Sequence, residues 1–223
     1  MSAVKRAVKR AVKRAVMGAA LLAVLLVAGC ASRPAVPDWQ GNAHGALQAA
    51  VAATLNGEAR VADAEMARAR SEIARTGQPA LLARAELVLC AARVASLDLD
   101  GCPAYAALAV DAAPAEQAYA AFLYGTVPPA QADLLPPQHR ALAVGGSLGA
   151  EPQDPLARLV GTAVLLRQGR AAPADVAAAV QAASGQGWRR PLLAWLGAQL
   201  RGAESAGDAD AALGIRRRIQ LVN

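Results

Sequence analysis

The sequence predicts an all-α fold, an antiparallel array of helical hairpins with about eight to nine helices, and three observations predict it. Alanine and leucine dominate, while aromatic residues make up only 3% of the chain. Apolar side chains recur at three- and four-residue spacing, and alternating β-branched runs bounded by turn residues are missing. Proline and glycine mark the segment ends, where helices tolerate them. Small side chains let helix axes approach closely, so the expected core is Ala and Leu ridges with few large anchors. About 190 residues follow the first thirty, enough for one domain that buries about 70% of its unfolded surface.

A first helix is expected from Asn42 to Leu55, stopping at Asn56-Gly57. The second, Glu58 to Arg75, places Ala62, Met66, Ala69 and Ile73 on one face, with Glu65, Arg68, Glu72 and Arg75 as a ladder of alternating charge on the other. Thr76-Gly77 ends it. A third helix, Gln78 to Leu97, carries Leu81, Leu82, Ala85, Val88, Leu89 and Ala92 around most of its circumference and is expected to be the most buried. Asp111 to Glu116 starts another helix, with Pro114 in its first turn and Ala115, Ala118, Tyr119 and Phe122 as its apolar stripe. Thr126 to Pro137 holds four prolines and reads as an irregular crossing with one helical turn. It divides residues 42–223 into halves of 42–125 and 137–223. The second half opens with a weak helix from Pro137 to Val144, pauses at Gly145-Gly146-Ser147-Leu148-Gly149, and resumes at the Asp154-Pro155 cap. Helices over 155–168, 173–184, 190–205 and 208–220 follow, broken at Gly169, Gly185 to Gly187, and Gly207.

The first thirty residues read differently. Lys5, Arg6, Lys9, Arg10, Lys13 and Arg14 form a basic start, and Ala15 to Val27 is then apolar apart from Gly18. About thirteen such residues fall short of the roughly twenty that a stable span needs, which favours a cleaved signal peptide over residues 1–29. Val27-Ala28-Gly29-Cys30 resembles the lipobox of bacterial lipoproteins. The resemblance implies cleavage before Cys30 and attachment of diacylglycerol and palmitate there. The other reading of the same residues is an ordinary secretion signal, or an uncleaved anchor, with an incidental cysteine. In that family an aspartate after the cysteine commonly retains the protein at the inner membrane. Ala31 stands there in this chain, so the resemblance implies the outer membrane, with the domain on the periplasmic face and the membrane reached through the lipid anchor. Residues 30–41, with Pro34 and Pro37, read as the lipidated N-terminus and tether, whose stretch from Ser32 to Asp38 extends on the order of 25 Å.

Cleavage also changes the charge argument. The net charge of +6 would suggest an acidic partner such as nucleic acid, but six of the 23 basic residues precede Cys30. Seventeen arginines then face seventeen acidic residues, and no nucleic-acid partner is expected. No lysine follows Cys30, which excludes a phosphate-loop lysine, a Schiff-base lysine and a Ser-Lys pair. Export would place Cys90 and Cys102 in an oxidising compartment, and the turn from Leu97 to Gly101 could bring two helix ends within reach of a disulfide. Two reduced cysteines, one of them buried, are the alternative.

The helix order is similar in architecture to tetratricopeptide-like solenoids. Gly57, Ala69 and Ile73 match part of that pattern, but the Trp, Leu and Tyr positions of its first helix do not match. Ala183 to Leu200 looks like a stretch from β-proteobacterial lipoproteins of no assigned activity.

Candidate chemistry is sparse. His44 and His139 lack a second ligand at metal-binding spacing, so surface or capping roles are expected and no metal or cofactor. Asp98-Leu99-Asp100-Gly101 has Cys102 where a calcium loop needs its next ligand, and turn chemistry accounts for it. Glu204-Ser205 resembles the Glu-Ser pair of lytic transglycosylases, helical lipoproteins that cleave peptidoglycan. Glu204 sits at an apparent helix end, however, without the apolar cleft that raises a general acid's pKa, and no catalytic residue is assigned. Trp188, Arg189 and Arg190, with Arg216, Arg217 and Arg218, are the candidate partner-binding residues, because Trp and Arg recur at interface hot spots. The competing reading packs Trp188 and Trp195 between the last two helices, while the arginines favour a helix C-terminus or pair with Asp208 and Asp210. The expected function is a non-catalytic interaction or scaffold module of the envelope with a protein partner. A small-molecule or lipid carrier holding its ligand across the proline segment is the alternative, and a peptidoglycan-cleaving enzyme a remote one.

Overall fold

The computed structural model describes residues 37–148 and 154–222. The expected signal peptide, Cys30 and most of the tether lie outside the described residues, as does Gly149. The described chain is all-helical, and nine of its α-helices are seven residues or longer. In chain order the described α-helices are α1 (Asp38–Asn56), α2 (Ala59–Ala74), α3 (Pro79–Ala95), the four-residue α4 (Pro103–Ala106), α5 (Pro114–Leu123), α6 (Pro137–Ala143), α7 (Pro155–Arg167), α8 (Pro173–Gln186), α9 (Arg189–Ser205) and α10 (Ala209–Val222). Two 3-10 turns, Ala109–Asp111 and Pro129–Leu134, join them.

Proline opens α3, α4, α5, α6, α7 and α8, where its missing N–H costs no intrahelical bond and its fixed φ is already helical. Asp154 caps α7 by accepting from the Leu156 N–H at 2.9 Å. Gly187 ends α8 at φ 68°, and the Trp188 N–H closes onto the Ala183 carbonyl at 3.1 Å. The end of α3 makes the same left-handed turn without a glycine. Leu97 has φ 58°, and the Asp98 N–H reaches the Arg93 carbonyl at 3.1 Å.

Helix α1 starts at Asp38, four residues before the expected Asn42, so residues 38–41 are helix and not tether. Asp38 favours the positive end of the helix dipole, and Trp39 packs on the cluster beneath. Ala43, Ala46 and Ala50 of α1 pack against Met66, Ala69 and Ile73 of α2 and Ala85 of α3. Side chains this small allow the close α1–α2 hairpin.

The larger core is built on α3 and α7, with α8 against α7 and α9 against α8, α10 and α1. Nine residues of α3 are buried, but α7 buries eight of only thirteen, so the two share the centre that the sequence assigns to α3 alone. The face of α3 also differs. Val88 is exposed, Leu81, Leu82 and Leu89 are half-buried, and Glu86 lies inside. On α5 the expected Ala118 and Phe122 are buried and Tyr119 half-buried, but Ala115 is exposed and the neighbouring Glu116 is buried in its place. Phe122 and Leu123 from before the proline crossing, with Leu135, Leu142 and Leu159 from its end and beyond, belong to the same cluster. The halves therefore share one core. Trp195 of α9 is fully buried, and its indole N–H donates to the Ala95 carbonyl at 2.9 Å, tying α9 to the end of α3. This satisfies a carbonyl that a helix end leaves open.

Candidate functional site

Cys90 and Cys102 form a disulfide with their α-carbons 5.6 Å apart. It closes the turn after α3 back onto that helix, and the Cys102 N–H donates to the Tyr124 hydroxyl at 3.1 Å. Beside it opens a polar cleft of about 270 Å³ that includes Arg70, Glu86, Arg93 and Arg190. Apart from Asp63, its charged side chains are paired. Arg70 forks onto Glu86 at 2.5 and 3.0 Å, and Asp98 receives Arg93 at 3.0 Å and Arg190 at 3.2 Å. The bond from Arg93 holds the Asp98 carboxyl below its ordinary range, against the opposing effect of burial. The Glu86 bond likewise raises Arg70.

Arg190 thus braces the α3 end, 92 residues away in sequence. The other expected partner-binding residues are also distributed. Trp188 is half-buried against the main core, and Arg189 donates to the Val222 carbonyl at 3.0 Å. Arg216 pairs with Glu204 at 2.5 Å, not with Asp208 or Asp210, while Asp208 accepts from the Ala211 N–H at the start of α10. Arg217 is exposed and Arg218 half-buried. Glu204 is 44% exposed, with no apolar enclosure around its carboxylate.

His139 departs from the expected surface role. It is 1% exposed, with its ring 4.7 Å from Phe122 and 5.9 Å from Tyr119. Facing the Ala157 carbonyl at 3.1 Å, Nε2 must carry the proton, which leaves Nδ1 as a buried acceptor without a partner. Burial lowers the His139 pKa below 6.5, outweighing the Ala157 carbonyl and the Asp154 charge. Among the described residues no group of three His, Cys, Asp or Glu side chains could hold a metal ion, and no helix is long and apolar enough to cross a membrane. His44 is exposed.

Two further clefts have distinct chemistry. An open groove of about 460 Å³ runs along α8, α9 and α10, lined by Leu166, Val176, Ala198, Ala203 and Ile215, with small Gly202, Ala206 and Ala211 along it. Gln199 also lines it, and its Oε1 is buried without a partner. The second cleft, about 370 Å³, lies beside the proline crossing between α3, α5 and α6. Glu116 lines it with a side chain 9% exposed, its Oε1 accepting from Arg84 Nε at 2.6 Å. Spacing along the chain shows neither cleft, because each is assembled from three or more elements. Comparison with protein-family models, curated proteins and solved structures finds no match.

Proposed function

We propose that this chain is a lipid-anchored envelope protein whose helical domain binds a protein partner and carries out no reaction of its own. Cys30 would hold it at the outer membrane with the domain in the periplasm. Two independent features support export: the Val27-Ala28-Gly29-Cys30 motif after an apolar run, and the Cys90–Cys102 disulfide, which suits an oxidising compartment.

The open apolar groove along α8, α9 and α10 carries the binding part of the reading. The groove is partly open and is built between helices, a shape that a helix of a partner can enter. Its glycine and alanines permit close approach of a helix laid into it, and Gln199 Oε1 offers one fixed acceptor. The groove also lies on the two helices that contain Arg189 and Arg190, directly after Trp188, and Arg216 to Arg218. Tethering raises the effective concentration against partners confined to the same surface.

The test is in-cell photo-crosslinking from position 206, in the groove, and from exposed position 60 on α2. The reading expects a discrete protein adduct from 206 that is absent from 60 and is lost when Ala198→Arg fills the groove. Equal labelling from both positions, or an adduct unchanged by Ala198→Arg, contradicts it.

A further inference from the structure

The cleft beside the proline crossing contains two features left unsatisfied in the same place. Glu116 is a carboxylate with its side chain 91% buried, Oε1 bound by Arg84, and Oε2 buried with no hydrogen-bond partner. An ionised carboxylate accepts through both oxygens, and an orphaned one in a low-dielectric setting is costly. At the same cleft, Val88 and Leu134 leave 38% and 43% of their surfaces exposed. Uncovered apolar side chains around an orphaned acceptor fit a ligand with a strong donor and an apolar body.

The balance of charge narrows the class. Arg84 and Arg140 offset Glu116 and Asp133 around the cleft, so an ion of either sign gains little from the whole lining. A dipolar ligand gains from each end separately. Arg84 engages Glu116 through Nε alone, so its terminal guanidinium nitrogens make no hydrogen bond to the second oxygen. The ion pair therefore keeps an unused acceptor on Glu116 and unused donors on Arg84, which the ammonium and the carboxylate of one amino acid can each meet.

We propose that this cleft binds an apolar α-amino acid as its zwitterion. Glu116 Oε2 takes the ammonium, Arg84 takes the carboxylate, and Leu87, Val88 and Leu134 cover the side chain. The volume of about 370 Å³ accommodates a free amino acid of leucine size or a short peptide beginning with one. The site is independent of the α8–α10 groove and of the lipid anchor, so it stands or falls by its own test.

Equilibrium dialysis of the full-length protein in detergent against radiolabelled L-leucine gives the readout. Saturable binding is expected with a dissociation constant at or below about 1 mM. Glycine, which lacks the apolar body, and N-acetyl-leucine, which lacks the ammonium, should each bind at least about tenfold more weakly. Leucinamide should also weaken. A leucine-initiated dipeptide that binds as well as leucine assigns the site to peptide amino-termini, and weaker dipeptide binding assigns it to the free amino acid. Glu116→Gln should reduce affinity about tenfold. Because that change falls on a buried ion pair, Val88→Trp provides a second arm. It fills the cleft from a part-exposed position and should abolish binding without altering the circular dichroism spectrum. No saturable leucine binding, equal binding of leucine and N-acetyl-leucine, or unchanged binding in folded Val88→Trp overturns the proposal.

Discussion

Breaking the Cys90–Cys102 bond should lower stability by an amount that follows from chain geometry. The bond links positions 12 residues apart. In the chain-entropy model a loop of that length, once opened, gives the unfolded state about 3 kcal/mol of additional entropy at room temperature. Both cysteines are almost fully buried, at 3% and 4% exposure, so reduction leaves the packing volume in place and isolates the constraint. For a domain of this size 1 kcal/mol corresponds to about 2–4 °C in melting midpoint, which predicts a fall of about 6–12 °C on reduction. The assay is a thermal melt followed by far-UV circular dichroism with and without a non-thiol reductant, with mass spectrometry to confirm the reduced state. The Cys90→Ala, Cys102→Ala double variant should melt at or below the reduced protein, since it also removes two buried sulfurs, and should ignore the reductant. A midpoint that reduction leaves within about 1 °C would refute the reasoning, because the unfolded chain would then gain nothing from the open loop.

Two other predictions rest on single contacts. Trp195→Phe removes the indole donor from the Ala95 carbonyl and should cost about 1–3 kcal/mol, read as a lower urea midpoint at unchanged slope; a variant as stable as the parent contradicts the cross-link between α9 and α3. Burial holds His139 neutral in the fold, so the unfolded state binds the extra proton first and stability should fall as pH drops below about 6.5, levelling once the folded-state pKa is passed. Urea denaturation between about pH 7.5 and 5.5 should show that slope in the parent and lose it in His139→Gln; parallel slopes would place the titration elsewhere.

The helix inventory was legible because its punctuation is local. Prolines at the first turn and glycines past the last fix the ends of α7 and α8 to within two residues of the reading, and Gly207 separates α9 from α10. The face of α2 was equally legible, since Ala62, Met66, Ala69 and Ile73 repeat at helical spacing opposite a charged side, and all four are buried. Faces on the central helices were not. Glu86 enters the core because Arg70 reaches it from the preceding helix, and Glu116 does so because Arg84 lies 32 residues before it. Periodicity ranks each residue by its own polarity, so a carboxylate neutralised by a distant partner is read as solvent-facing. His139 was misread for a related reason, its ring being covered by Phe122 and Tyr119 from the far side of the proline crossing. The disulfide needed only a turn of suitable length between two helix ends. The candidate partner surface was the least legible part. Trp188, Arg190 and Arg216 look available in sequence, yet the fold gives them a core contact, Asp98 and Glu204.

The intact mass of the protein purified from membranes tests the central claim most directly, together with fragmentation of its first peptide. The account predicts a chain that begins at Cys30 and carries a diacylglyceryl group and an amide-linked acyl chain, with both additions absent from Cys30→Ala. A chain that retains residues 1–29, or begins at Cys30 without acyl groups, would contradict it.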